Sequence, residues 1–397
     1  MEAIFSDWLN LILRWAHITT AIAWIGSSFF FNWLDSRIEA PEDDDKIEGS
    51  LWLVHGGGFY NMVKIQLAPD ELPATLHWVK WEAGWAWITG FFLFVLMYYA
   101  GASVYTMPAE PTGLGIGGTI AVSLGTIIAT WVLYDLLWNS KFAAGSPRLA
   151  ISICFIVMVF IAWALPHVMS GRAAYLHVGV ILGTLMAANV WMRIIPPQRE
   201  MVDAMKTGAT PNRASAVQAK FRSTHNNYMT LPVLLIMVSG HYASTYGSEY
   251  SWAILALLAV AGGSVRHYFN LRNKGRAGEG LWYAAAGIVL MLGLLAFWTN
   301  QAAMRADAGG EKVAFAEAQA IVAARCTICH SATPGDFVDT APKGLMYDTP
   351  AQIQARAADI QAQAVLADVM PPGNITEMTD AERETLGRWI AQGAKFD

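Results

Sequence analysis

Charged side chains are scarce: they make up 14% of the 397 residues, with a formal net charge of -5. A chain this poor in lysine and arginine has no basic footprint for a polyanion, which excludes nucleic acid as a partner. Cysteine is scarcer still, at three residues. Three thiols cannot build the disulfide framework of a small secreted domain, and two of them, Cys326 and Cys329, share one short motif. The third, Cys154 in ISICFIVMVF, reads as a small buried apolar residue. The N-terminus, MEAIFSDWLNLILRW, lacks the basic segment and small-residue cleavage site of a removable signal peptide, so the first apolar stretch reads as a retained span. The run HGGG lacks the Lys-Ser/Thr ending and the strand-to-helix setting of a P-loop.

What the chain does have is apolar sequence, 55% of it, with 17 Trp and 17 Met. A hydrocarbon core about 30 Å thick needs about 20 mostly apolar residues per helix. Eight segments qualify, near 8–31, 83–106, 115–138, 149–168, 173–195, 227–245, 250–269 and 280–299, the sixth containing Pro232. Basic residues gather in the odd-numbered connections: Arg37 to Lys80, Lys141 and Arg148, Arg193 to Arg222, and Arg266 to Arg276. The second and sixth have none, which places the odd connections in the cytoplasm and both termini on the other side. After RADAGGEKVAFAEAQA the composition becomes alanine-rich and polar. The expected fold is all-α: a polytopic membrane helix bundle over 1–299, a linker over 300–312 and a small all-α domain over 313–397. Its last helix begins at TDAE, where Thr379 and Glu382 form a capping box and Trp389 then packs inward.

That domain holds Arg325-Cys326-Thr327-Ile328-Cys329-His330. Two thiols spaced C-x-x-C with an adjoining His are the attachment signature of haem c, the thiols forming thioethers to the vinyl groups and the imidazole ligating the iron. A zinc site would need further Cys or His nearby, and none follows. The second axial ligand of an electron-transfer cytochrome is a thioether; Met370 in DVMPPGNIT is preferred, with Met346 and Met378 as competitors. Haem c is attached outside the cytoplasm, which agrees with the charge pattern of the connections. The expected location is a bacterial inner membrane, with the N-terminus and the cytochrome c domain in the periplasm.

Eight further histidines divide evenly. His17, His167, His177 and His241 belong to the half of the bundle nearer the cytochrome, and His55, His77, His225 and His267 to the other half. Ionisable groups at membrane depth are a functional-site hypothesis by default. Neutral imidazoles ligate haem iron, so a b-type haem is expected on His17 and His177, with His167 or His241 as substitutes and Arg14 paired to a propionate. The alternative for each is a hydrogen bond across helices. On the cytoplasmic side three stretches are rich in polar groups: HGGGFYNMVK with His55 and Lys64, LHWVKWEAGW with His77 and Lys80, and FRSTHNNYMTLP with Arg222, His225, Asn226, Asn227 and Tyr228. Such a set suits a planar anion rich in hydrogen-bonding atoms, and it also suits an ordinary membrane interface.

LVHGGGFY, LHWVKWEAGWAW, GTLMAANVWMRIIPPQRE and HNNYMTLPVLLIMVSGHY, on eight spans joined to a C-x-x-C-H domain, resemble the bacterial membrane-bound urate oxidases of purine catabolism over nearly the whole chain. The resemblance implies oxidation of urate to 5-hydroxyisourate, with electrons delivered to the fused cytochrome c rather than to oxygen at the urate site. Placed on that expectation, Lys64, Lys80 or Arg222 holds the anion, with His55, Asn226, Asn227 and Tyr228 around it. His225 or His77 takes a proton as electrons leave. A periplasmic c-type cytochrome or a terminal oxidase re-oxidises the haem c. A quinol-to-cytochrome c oxidoreductase is the alternative from the residues alone.

Overall fold

In the computed structural model, described for all residues except 1, 41–46, 66–71, 109–111, 249, 306–310, 336, 368 and 396–397, the chain is helical nearly throughout. The bundle consists of α1 (Glu2–Arg37), α2 (Trp81–Phe94, continued by a wide turn to Ala100), the short α3 (Ala102–Tyr105), α4 (Gly115–Trp138), the short α5 (Lys141–Gly145) and α6 (Pro147–Ala164). It continues through α7 (Gly171–Ala188), whose helical course runs on through Asn189–Ile194 into α8 (Ile195–Lys206), then α9 (Arg213–Ser239), the short α10 (Ala243–Tyr246), α11 (Ser251–Asn273) and α12 (Ala277–Arg305). Each of the eight expected spans falls on one of the long helices. Six of these, among the described residues, are long and apolar enough to cross a membrane; α1 and α9 are the two that carry too much polar sequence. The chain is therefore a multi-pass helical membrane protein.

The helices stop and start where the sequence supplies caps. Ser140, Ser170 and Asn212 accept the backbone N–H groups of Ala143, Ala173 and Ala214 at the starts of α5, α7 and α9. Small residues let the long helices approach. A side chain at Gly179 of α7 would lie 2.7 Å from Ile236 of α9, and Gly262 of α11 leaves room for the Pro232 ring, 3.3 Å away, inside α9. Pro232 is thus accommodated without ending its helix.

Among the described residues one hairpin departs from the helical pattern. β1 (Ile47–His55) and β2 (Gly58–Ile65) pair antiparallel, with Gly56 and Gly57 as a two-residue turn at φ 59° and 79°. Left-handed values at both turn positions require glycine. The glycine run is therefore a hairpin turn.

The two ends of the bundle differ. At one end meet the C-terminal parts of α1, α4, α7 and α11 and the first half of α9, where Lys64 and Lys220 both pair with Asp35 and Arg37 reaches the Arg272 carbonyl. The basic connections thus share one end. At the other, Ser170 binds the Thr106 and Tyr105 carbonyls, and α10 lies beside α7. On this second end sits the C-terminal unit.

That unit has α13 (Phe315–Arg325), α14 (Pro350–Ala355), α15 (Ala357–Ile360) and α16 (Asp380–Ala391) around its own core of Val322, Ile353, Leu386 and Trp389. The capping box of Thr379 and Glu382 forms as expected, and Trp389 is 2% exposed. Part of the expected linker, 306–310, lies outside the described residues.

Candidate functional site

At the basic end, α4, α7 and α9 bring polar groups together inside an apolar bundle. Tyr134 Oη is 2.8 Å from His225 Nδ1 and accepts a hydrogen bond from Asn189 Nδ2 at 3.0 Å. The same Asn189 amide reaches Asn226 Oδ1 at 2.9 Å, and Asn226 Nδ2 donates to the Met186 carbonyl. Next to this chain lies Asp135, which accepts from Arg193 Nε at 2.7 Å and from Arg222 Nη2 at 3.1 Å. Arg222 is fully buried, lies over the Tyr134 ring at 5.1 Å and also donates to Asn139 Oδ1.

One carboxylate between two guanidinium groups leaves one positive charge over. Among the described residues no second carboxylate pairs with either arginine. Arg222 Nε and Nη1 and His225 Nε2 are buried without a hydrogen-bond partner. Buried polar groups are normally satisfied, and leaving a charged one bare costs several kcal/mol, on the order of 1–3 for each lost partner. The His225 ring packs against Trp138 and Phe221, with centroids 4.3 and 4.4 Å away and the two aromatic rings 5.2 Å from each other, and Phe221 is exposed. The cluster therefore offers aromatic faces, bare donors, a net positive charge and an edge open to the surroundings.

The residues expected from sequence divide over several places. Arg222, His225 and Asn226 lie on one face of α9. Asn227 and Tyr228 lie on the opposite face, where Asn227 Oδ1 accepts from Arg266 and Asn270, and Tyr228 Oη is 2.6 Å from His267 Nδ1. Lys64 sits on the hairpin, where Asp35 at 3.0 Å and Glu48 at 3.1 Å compensate its charge; burial works against its ammonium, yet those carboxylates hold its pKa above the ordinary value. Lys80 stands at the start of α2 among Trp78, Trp81 and Trp191, each ring centroid 5.6–5.7 Å from Nζ. His55 and His77 are exposed. Asp135, Tyr134, Asn189 and Arg193 were missed. Tyr134 and Asp135 sit together in one apolar run and Asn189 and Arg193 in another, and only the meeting of three helices joins them to Arg222 and His225.

His177 is fully buried, with Nε2 3.2 Å from the Ser123 carbonyl and Nδ1 3.4 Å from Ser123 Oγ, which also bonds Tyr99. His17 Nδ1 bonds the Ala86 carbonyl, and its ring packs on Gly90. Arg14 binds Asn10. His167 and His241 are exposed. An iron ligand needs a ring nitrogen with a free lone pair and space beyond it. His177 has neither, so the His17–His177 pair does not fit a b-type haem.

The C-terminal motif differs. Cys326 and Met370 pack against the same core, and Tyr347 of that core lies 5.1 Å from the His330 ring. His330 Nδ1 is 3.0 Å from the Leu345 carbonyl; an N–H donated there leaves the Nε2 lone pair for iron, as haem and zinc histidines are held. Burial pushes the Cys326 thiol up to about 12, which keeps it a neutral thiol. Among the described residues no three His, Cys, Asp or Glu side chains cluster as a metal cage. These residues fit a covalent haem, which needs one imidazole, two thioethers and a methionine.

Residues 3–300 match the family described as urate oxidase N-terminal, so the chain belongs to that family. No curated protein and no solved structure matches it.

Proposed function

We propose that this member of the urate oxidase N-terminal family oxidises urate to 5-hydroxyisourate and passes the electrons to a haem c on Cys326, Cys329 and His330. The reading is carried by the cluster of Asp135, Arg193, Arg222 and His225, whose single uncompensated positive charge and bare donors suit a planar monoanion. A neutral quinol has no use for that charge, which weighs against the quinol alternative.

Urate would lie against Trp138 and Phe221, held by Arg222 Nε and Nη1, with the bare Asn189 Oδ1 accepting from a purine N–H. With Nδ1–H donating to Tyr134 Oη, His225 Nε2 keeps its lone pair and takes a proton from the purine as electrons leave. Asn189, bonded to both Tyr134 and Asn226, fixes the geometry of that base. Urate and water give 5-hydroxyisourate, two protons and two electrons. The cluster and the haem c lie at opposite ends of the bundle, so a redox carrier within the bundle, on ligands other than the His17–His177 pair, would relay the electrons, and the haem c, when bound, would accept them one at a time.

The chain's other residues prepare that acceptor. The Leu345 carbonyl orients His330, and Met370 rather than Met346 would supply the thioether. Met378, 3% exposed, is enclosed in the core. Met370 remains, at the edge of that core. The membrane is a bacterial inner membrane with the haem c in the periplasm, where a soluble c-type cytochrome or a terminal oxidase re-oxidises it.

Anaerobic addition of urate to the oxidised protein tests the reading. Prompt appearance of the reduced c-type bands is expected. Reduction by a quinol but not by urate would overturn it.

A further inference from the structure

Residues 364, 365, 367, 369 and 370 divide between two cores. Ala364 and Val365 lie in the core of the C-terminal unit, and Met370 packs against it. Ala367, 2% exposed, lies in the core of the bundle beside Ala243 and Tyr246, with Val369 packed against the same cluster. The backbone turns these side chains in opposite directions within seven residues. Arg383 of α16 grips the segment from inside, donating to the Ala364 carbonyl and, at 2.8 Å, to the Met370 carbonyl.

The fit on the bundle side is close. A Cβ at Gly247, just past α10, would stand 2.4 Å from Ala367 Cβ and 2.2 Å from its carbonyl oxygen. No side chain fits there, so glycine is what lets the two backbones meet. A few residues on, Gly373 approaches the Met107 carbonyl beyond α3, and Gly171 leaves room for the Tyr246 carbonyl that props the seat. Two apolar side chains bury little area. The linker, however, turns docking into an intramolecular step, so a small contact is sufficient to hold the unit down.

We propose that the cytochrome-type unit is seated on the bundle in a fixed position through the Gly247–Ala367 contact, and that electrons reach the haem c in this seated state. The unit does not swing on its linker to collect them. The loop that makes the seat is the one that carries Met370, so seating and the distal side of the haem are mechanically one element. The electron-transfer part rests on the proposed urate reaction.

The test uses the full-length haem-loaded chain in membranes, carrying Ala243→Cys with Ala367→Cys and a protease site inserted in the linker. Ala243 and Ala367 belong to one buried cluster across the seat, and disulfide Cβ atoms must come within about 3.5–4.5 Å; this pair leaves Gly247 itself unchanged. Mild oxidation should form the cross-link and hold the unit on the bundle after the linker is cut. Urate should then reduce the haem c within twofold of the rate before cross-linking. Failure to cross-link, or a tenfold slower reduction once cross-linked, overturns the fixed seat. A second variant, Gly247→Leu, should lift the loop and slow reduction by urate at least tenfold, with the dithionite-reduced spectrum unchanged; an unchanged rate counts against the proposal. If urate reduces no form of the protein but the cross-link forms, the substrate reading fails and the seat stands.

Discussion

His225 and His177 are both enclosed by the bundle, and the difference between them lies in their partners. His225 has one nitrogen on a tyrosine hydroxyl and the other bare, against a pair of aromatic rings and beside an arginine with unpaired donors. His177 has both nitrogens on Ser123 and no exposed surface. The first arrangement is poised to exchange a proton. The second locks α7 to α4. Depth in a membrane marks a histidine for attention; its unspent hydrogen-bonding capacity decides what it does.

Mutations can break that comparison. His225→Ala should lower the rate of urate-driven haem reduction by about 10²–10⁴-fold, the usual weight of a general base. A pre-steady-state trace that changes less than threefold would return His225 to a structural role. Arg222→Gln removes a charge-assisted contact worth about 1.5–3 kcal/mol and should weaken urate binding roughly 10- to 100-fold, read as KM more than kcat. Equal losses in a titration with a neutral purine would count against an anion contact. Tyr134→Phe, which takes the Nδ1 partner from His225, should cost about tenfold, near 1.4 kcal/mol. Its signature is a shifted pH profile of kcat, which a packing defect would not produce.

The smaller effects concern the groups that only hold structure. Partial burial works against the Glu382 carboxylate, but the Thr379 amide and hydroxyl and the Arg325 guanidinium keep its pKa below the ordinary value. A group depressed on folding stabilises above its unfolded pKa, near 4.3 for Glu, and loses that contribution as pH falls through the folded value. Glu382→Gln should therefore lower the melting temperature of the C-terminal unit by a few degrees at pH 7, about 1 kcal/mol or less for so exposed a pair, and not in strong acid. His177→Gln should leave the pyridine haemochrome spectrum unaltered and urate-driven reduction within twofold. A lost b-type component would reinstate His177 as an iron ligand.

Much of this was legible in sequence. Apolar runs of sufficient length announced each long helix, because hydrocarbon thickness sets a length that local composition can reveal. C-x-x-C-H announced itself through spacing alone, since both thiols and the imidazole reach one ligand from a single turn. The capping box at Thr379 was visible for the same local reason. The stretch FRSTHNNYMTLP drew attention for its density of polar groups, but it could not be divided. A helix turns about 100° per residue, so Asn226 and Asn227, neighbours in sequence, point into different clusters. Lys64 and Lys80 look like free cations until Asp35, Glu48 and three indole rings are brought around them.

Composition, span lengths, the bias of basic residues among the connections and the C-x-x-C-H motif were therefore determined by the sequence itself, because each depends on chemistry within a few residues. The Asp135–Arg193–Arg222 triad, the spent nitrogens of His177 and the Gly247–Ala367 contact were decided only by the tertiary structure. Each joins residues from different helices, and whether a buried charge or ring nitrogen is satisfied depends on which helix face packing sets opposite it.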